Sequence, residues 1–264
     1  THSLDLNLVG AIVFDEADRM FDMGFKDDMT YILRRVPRDR QFLLFSATLN
    51  FEVLNTAYQF GAEPMEFNVS RDQATAENVD HEILHVGRDE KPMFLLSILK
   101  KANPEQCIVF SNFKHNVTRI SAFLKLNGIE ATGMSSLLSQ IQRNRVLEAF
   151  KTGKKQILVA TDVAARGLDI KGVDMVVNFD LPDDCETYVH RIGRTGRAGK
   201  SGKAVSLSSD RDVEALMRIE TYLKEKLKIG WFEEADLIRE FAPMPRDEGP
   251  SRSGSGGRGG HRHG

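Results

Sequence analysis

Four short clusters in this sequence combine residue types that can do phosphate chemistry. Asp15-Glu16-Ala17-Asp18 follows directly on an apolar run, Val9–Phe14. Carboxylates at the carboxyl end of a parallel strand stand where such sheets place their ligands. There Asp15 could hold Mg²⁺, directly or through water, and Glu16 could orient or deprotonate an attacking water. Phosphoryl transfer needs both a cation to neutralise charge and a positioned nucleophile. The same four residues could equally form a solvated turn or an N-cap. Ser46-Ala47-Thr48 ends a second apolar run, Gln41–Ser46. Its hydroxyls could hydrogen-bond the first cluster, although capping the helix that starts near Leu49 is their simpler use.

The third cluster runs from Ala160 through Thr161 to Asp169 and again follows an apolar run, Gln156–Ala160. Thr161 offers a hydroxyl, Gly167 a backbone N–H that can approach a phosphate closely, and Asp169 an acceptor for a ribose hydroxyl. A βα turn with a structural glycine is the alternative. The fourth is His190-Arg191-Ile192-Gly193-Arg194-Thr195-Gly196-Arg197, with three arginines within seven residues. The guanidinium fork matches phosphate oxygens in a way that an ammonium does not, and such arginines can act as fingers on a phosphate chain. A solvated basic loop would explain the composition but not the spacing. Gly193 through Ser201 imitates GxxxxGK[ST], but five residues separate its glycines and no strand precedes it, so it is no P-loop.

These clusters need a scaffold, and the apolar runs supply it. Gln106–Phe110 and Val173–Asn178 repeat the form of the three runs above. Continuous apolar strands suit a parallel sheet covered on both faces. Val117, Ile120 and Leu124 share a helix face that Asn127-Gly128 would end, and Asp210 is expected to cap a helix bearing Leu216, Ile219, Leu223 and Leu227. Alternating strands and helices give an α/β, doubly wound fold. A polar gap over 70–80 reads as a linker. The expected division is a partial first unit with linker over 1–75, a complete second unit over 76–228 and an extension over 229–264. After Gly230 the pattern decays. The Gly/Ser/Arg stretch 249–264 has neither acid nor large apolar residue and is expected to be disordered.

Composition narrows the function classes. The 264 residues carry 36 Lys+Arg against 38 Asp+Glu, so any nucleic-acid site must be a local cluster rather than bulk positive charge. Hydrophobic residues at 41% and charged residues at 28% exclude collagen-like and wholly disordered chains. Cys107 and Cys185 form no CxxC pair, which favours a reducing, cytoplasmic setting. No apolar stretch approaches the ~18 residues of a membrane span.

In order, the clusters resemble those of a DEAD-box ATP-dependent RNA helicase, a superfamily 2 enzyme with two RecA-like lobes. Residues 13–20 (Val-Phe-Asp-Glu-Ala-Asp-Arg-Met) are similar to motif II, and Ser46-Ala47-Thr48 to motif III. Val109-Phe110-Ser111-Asn112 is similar to the motif IV strand end, and Gln140-Ile141-Gln142-Arg143 to the Q-x-x-R that follows it. Residues 160–169 resemble motif V and 190–197 motif VI. Before the Q-x-x-R the family commonly has His-Gly-Asp, where this chain has Ser135-Ser136-Leu137.

The resemblance implies ATP and Mg²⁺ as cofactors and RNA as a partner, held through its backbone, with protein partners allowed and no membrane. Asp15 and Glu16 would serve Mg²⁺ and the hydrolytic water, and Arg194 and Arg197 would be arginine fingers. Asp18, Ser46, Thr48 and His190 would couple hydrolysis to strand separation, and Asp169 would meet the ribose. Thr161, Arg166 and Gly167, with Gln140 and Arg143 nearby, would support RNA contact. A solvated helix start explains Gln140 and Arg143 about equally well. The family's P-loop should precede motif II, and these residues hold none. The resemblance therefore implies a C-terminal part of such an enzyme, inactive by itself. The alternative is a non-catalytic RNA-binding or partner-binding module. A DNA helicase of the same superfamily fits the DEAD tetrad less well.

Overall fold

Alternating side chains decide how each apolar run is buried, and the two halves of the chain differ in this. The computed structural model describes residues 5–46, 49, 51–61, 64–67, 79–165, 170, 172–196 and 201–246. They belong to two compact units, 1–71 and 72–264. The linker read over 70–80 lies mostly outside the described residues, as does the tail beyond 246.

In the first unit the chain runs β1 (Ala11–Phe14), α1 (Ala17–Asp22), α2 (Lys26–Leu33), β2 (Gln41–Leu44) and α3 (Phe51–Phe60). β1 and β2 pair in parallel, with Ala11 opposite Gln41 and Phe14 opposite Leu44. Phe14, Ala17, Phe21, Met29, Leu33 and Val53 form the core, and Phe14 meets Phe42 edge-on at 5.9 Å. The Lys26 ammonium joins the Glu52 carboxylate at 2.9 Å and ties α2 to α3. Among the described residues of this unit, the core lies on one face of the sheet. Val13, in mid-strand, is 52% exposed while its neighbour Phe14 is buried.

The second unit follows the order β3 (Val79–His85), α4 (Lys91–Ala102), β4 (Cys107–Phe110), α5 (Lys114–Leu126), β5 (Ala131–Met134), α6 (Gln140–Lys151), β6 (Ile157–Ala160), α7 (Asp162–Ala165), β7 (Met175–Asn178), α8 (Cys185–Ile192), β8 (Gly202–Ser208), α9 (Val213–Leu223) and β9 (Lys228–Ile229). Its described strands form one sheet in the order β5-β6-β4-β7-β8-β3-β9, and every pairing is parallel. Cys107 and Val109 join the core on one face, Ile108 and Phe110 the core on the other, and β6 and β7 divide likewise. Helices on both faces explain why these runs are apolar throughout. Burial pushes the Cys107 thiol far above its ordinary pKa, as befits a small packing residue.

Several expectations need correction. Val79–His85 is a strand, so the linker read over 70–80 stops short of Val79. The helix near 213 is preceded by a short 3₁₀ turn whose N-cap is Ser209, not Asp210; Ser209 and Asp212 form a reciprocal capping box. That helix ends at Lys224 in left-handed conformation, so Leu227 is buried from the loop beyond it.

The extension is also more ordered than its sequence implied. Residues 232–245 lie across α4 and α5. Phe232 packs on Phe94 and Phe241 on Phe123, each edge-on. The Ile238 N–H donates to Ser97 Oγ at 3.0 Å, and Asp236 pairs with Lys101. The Asn127 side-chain amide meets both backbone groups of Ala242, at 2.8 and 3.0 Å, and Arg119 Nε donates to the Pro245 carbonyl. Side chains thus satisfy a backbone that has no strand partner. Limited proteolysis is expected to leave a resistant fragment from near residue 79 to near 246, with the first unit cut earlier. Early cleavage within 232–245, or equal protection of both units, would contradict this.

Candidate functional site

In the first unit the acidic cluster sits where β1 gives way to α1. The Glu16 backbone is left-handed, with φ 52° and ψ 46°, an uncommon state for a residue with a Cβ and one that costs of order 1 kcal/mol or more. Asp15 Oδ1 accepts the Glu16 N–H at 3.0 Å, which steadies the turn. Asp15 and Glu16 are both exposed, whereas Asp18 is buried. The strand ends are stitched together. Ala17 N–H donates to the Phe45 carbonyl at 3.0 Å, and Asp18 N–H donates to Ser46 Oγ at 3.1 Å. The fold therefore brings the acidic cluster and Ser46 into direct contact. Thr48 lies outside the described residues.

In the second unit the carboxyl ends of β4, β6 and β7 converge on Arg191. Its guanidinium is buried, with Arg191 1% exposed. Nε and Nη2 donate to the two carboxylate oxygens of Asp162, both at 2.7 Å. Nη2 also donates to Asn112 Oδ1 at 2.7 Å, and Nη1 to the Asp180 carbonyl at 2.7 Å and Asn178 Oδ1 at 3.4 Å. A bidentate arginine–carboxylate pair fixes orientation as well as distance. Sequence reading singled out neither Asp162 nor Arg191. The available signal was an acid just after the apolar strand β6 and an arginine on the helix that follows β7.

A second buried cation lies beside this hub. Lys91 Nζ stands 3.1 Å from Asp212 and 3.8 Å from Asp180, whose carboxylate also accepts from Ser111 Oγ at 2.5 Å. Burial raises the Asp212 pKa, but the Ser209 N–H and the Lys91 ammonium outweigh it and hold the carboxyl below its ordinary value. A depressed folded pKa means that this stabilisation is whole above the unfolded carboxylate pKa, ~3.9, and is lost as pH falls below it through the folded value. Asp212→Asn is therefore expected to destabilise the second unit at neutral pH, with the gap to wild type shrinking towards pH ~3. Urea unfolding at both pH values checks this, and a constant gap would contradict it.

The remaining site residues are placed as follows. Thr161 is buried at the head of α7, where its carbonyl accepts from Ala164 and Ala165 N–H. Gln140 begins α6, whose N-cap is Ser139 with Gln142 closing a capping box, and its amide donates to Asn144 at 3.0 Å. Arg143, on the same helix, directs Nη2 to the Ala164 carbonyl at 3.1 Å. His190 is exposed near the end of α8, and Arg194 is half-buried, with its carbonyl accepting from Gly172 and Val173 N–H. Arg166, Gly167, Asp169 and Arg197 lie outside the described residues. Of the glycines in the arginine cluster, Gly196 is required by the backbone. Gly196 has φ +69°, and a Cβ on Gly202 would stand 2.2 Å from Gly196 N.

Acids at the end of a strand in one unit, and an arginine-centred hub at the strand ends of a parallel sheet in the other, define the class as an α/β protein with sites at the carboxyl ends of its strands. The comparisons with known proteins agree. A DEAD/DEAH box helicase model matches residues 1–57, and a helicase conserved C-terminal domain model matches residues 90–199. The ATP-dependent RNA helicase RhlB of Shewanella halifaxensis is 40% identical over 274 residues, covering 98% of this chain and 63% of the relative. RhlB of Shewanella pealeana is 41% identical, covering 92% and 56%. Among solved structures, Dbp5 of S. cerevisiae bound to RNA and ADP BeF3 gives a TM-score of 0.72 at 32% identity, covering 85% of this chain and 60% of that one. E. coli SrmB bound to the regulator of ribonuclease activity A gives 0.56 at 34%, covering 62% and 98%. The chain belongs to the DEAD-box helicase family. It spans about three-fifths of the length of these RhlB relatives.

Proposed function

We propose that this chain is the part of an ATP-dependent RNA helicase that carries the hydrolytic acids and the complete second lobe. It would couple ATP hydrolysis to RNA binding and local duplex unwinding. The observation that carries the reading is the acidic turn at the end of β1, with Glu16 held left-handed and Asp18 tied to Ser46. Strained backbone is retained where function over-determines it. The first lobe is proposed to be partial over 1–75, which agrees with a sheet whose core, among the described residues, lies on one face.

Asp15 fits a Mg²⁺–nucleotide complex, because this cation usually takes one or two carboxylates together with waters and substrate phosphates. Among the described residues no group of three or more His, Cys, Asp or Glu forms a dedicated cage. When bound, the cation would neutralise charge on the phosphates. Glu16 would orient the attacking water, and Asp169 would accept from the ribose. Arg194 and Arg197 would stabilise the charge that develops on the transferred phosphoryl group. Asp18, Ser46, Thr48 and His190 would pass the state of the nucleotide to the RNA site. Gln140, Arg143, Thr161, Arg166 and Gly167 would hold RNA by sugar and phosphate, with little sequence readout.

Dbp5 is seen bound to RNA, and SrmB to a protein regulator. We propose RNA and protein partners here by the same likeness, in the cytoplasm. No helix among the described residues is long and apolar enough to cross a membrane.

One observation favours a second reading, a non-catalytic RNA-binding or partner-binding module: the 264 residues contain no GxxxxGK[ST]. That loop cradles the phosphates with its backbone N–H groups. A steady-state ATPase assay with RNA and Mg²⁺ is expected to give background turnover for the chain alone. RNA-stimulated turnover is expected once a P-loop-bearing segment is joined ahead of Thr1. Stimulated turnover by the chain alone would refute the need for that segment, and none in the joined protein would refute the enzyme.

A further inference from the structure

A file of hydrogen bonds runs through the interior of the second unit, from the arginine hub to the surface. Arg191 Nη1 donates to Asn178 Oδ1 at 3.4 Å, and Asn178 Nδ2 donates to Ser206 Oγ at 3.0 Å. Ser206 hydrogen-bonds Tyr188, whose hydroxyl lies 3.1 Å from His81 Nδ1. On the other side of the ring, His81 Nε2 stands 3.3 Å from the Glu225 carboxylate. Asn178, Tyr188 and Ser206 are each 0% exposed. The file joins β7, β8, α8 and β3 to the loop after α9, and the chemistry proposed above uses none of its last four members.

Its direction follows from its ends. A guanidinium only donates and a carboxylate only accepts. Asn178 therefore turns its oxygen to Arg191 and its amide nitrogen to Ser206. The Ser206 hydrogen is left for the Tyr188 oxygen, and the Tyr188 hydrogen for His81 Nδ1. Burial pushes the Tyr188 hydroxyl far above its ordinary pKa, so it keeps that hydrogen. The ring that completes the file is neutral, with its one hydrogen on Nε2, towards Glu225. A second ring hydrogen makes Nδ1 a donor. Two hydrogens then meet in the Tyr188–His81 link, and a fully buried hydroxyl has no solvent to turn to.

The titratable neighbours of the ring are Tyr188 from α8 and Glu225 from the loop after α9, where Lys226 is paired with Glu220. On β8 its cross-strand neighbour is Ala204. Lys203 of β8 and Lys228 of β9 lie on the other face of the sheet, paired with Glu82 and Asp80.

We propose that neutral His81 is a positioning residue for α8, and that protonating it releases this helix. α8 carries Tyr188 and Arg191 and leads directly to Arg194, so the release reaches an arginine assigned to the transferred phosphoryl group. The proposal rests on the helicase reading above. Acid then lowers hydrolysis through a histidine that touches neither nucleotide nor RNA.

The test uses the full chain, labelled with ¹⁵N-histidine, and its His81→Gln and Tyr188→Phe variants. Glutamine keeps a neutral acceptor and donor, and phenylalanine removes only the hydroxyl. Nuclear magnetic resonance is expected to find the His81 hydrogen on Nε2 at pH ~7.5. Amide exchange over 185–196, corrected for its intrinsic pH dependence, is expected to be about tenfold faster at pH ~5.5 than at pH ~7.5. In His81→Gln it should change less than about threefold, and in Tyr188→Phe it should be fast at both pH values. β4 and β6 should keep their protection throughout. A hydrogen on Nδ1 at the higher pH, no acid response in the unaltered chain, or an equal response in His81→Gln would each overturn the proposal. If His81→Gln fails to fold, Tyr188→Phe and the tautomer decide.

The effect on catalysis is read as RNA-stimulated ATP hydrolysis by the protein with a P-loop-bearing segment ahead of Thr1. Its rate ratio between pH ~7.5 and pH ~5.5 is expected to exceed that of its His81→Gln form at least about fivefold. Equal ratios would overturn the link to Arg194. No stimulated hydrolysis at either pH would refute the enzyme reading instead, and the tautomer and α8 exchange would then decide the positioning role by themselves.

Discussion

Asp162→Ala is expected to cost the second unit about 3–5 kcal/mol, far more than its place at the start of a four-residue helix would imply. The carboxylate is 24% exposed, but its partner Arg191 is 1% exposed. Removing it leaves a guanidinium in the interior facing only neutral acceptors, those of Asn112, Asn178 and the Asp180 backbone. An arginine cannot shed its proton to escape that cost. Asp162→Asn should lose less, because one amide oxygen still accepts. The exposed pair Arg218–Glu214, at 52% and 91% exposure, is the control, and its loss should cost no more than about 0.5 kcal/mol. Urea unfolding followed by far-UV circular dichroism measures all three. A loss under about 1 kcal/mol for Asp162→Ala would show that water or a neighbouring group rescues the charge.

The strands that line the site were legible because burial on both faces leaves one kind of residue. Cys107-Ile-Val-Phe110 and Ile157-Leu-Val-Ala160 read as strands and are strands. β3 was not legible, since Asp80, His81 and Glu82 lie on it. Those polar groups are held by side-chain partners distant in sequence: His81 Nδ1 by the Tyr188 hydroxyl at 3.1 Å, and Glu82 by Lys203 at 3.1 Å. No local pattern reveals such pairings. β5 was hidden for another reason. Its Ala131-Thr-Gly-Met134 is short and small, and Gly133 leaves room for Ser121 and Val117 of α5.

The candidate site divides in the same way. The acidic turn and Ser46 could be named from spacing alone, and the fold joins them by a hydrogen bond. The hub around Arg191 could not, because its five partner atoms come from segments up to 79 residues away. Arginine composition pointed to phosphate, yet one of the three arginines is spent on holding the lobe together. Likewise the extension beyond Gly230 shows no regular pattern in sequence. An extended segment fixed by Asn127, Ser97 and Arg119 has no periodicity to read.

The second large effect concerns catalysis. If Arg194 and Arg197 stabilise the transferred phosphoryl group, reversing both charges replaces attraction by repulsion at the transition state, where arginine fingers supply about 10³–10⁵ in rate. The measurement is RNA-stimulated ATP hydrolysis by a protein in which a P-loop-bearing segment precedes Thr1, compared with its Arg194→Glu/Arg197→Glu form. Hydrolysis is expected to fall at least about 10³-fold while the melting of the second unit is unchanged. Hydrolysis within a few-fold of the unaltered protein would contradict the assignment of these arginines and the enzymatic account built on them.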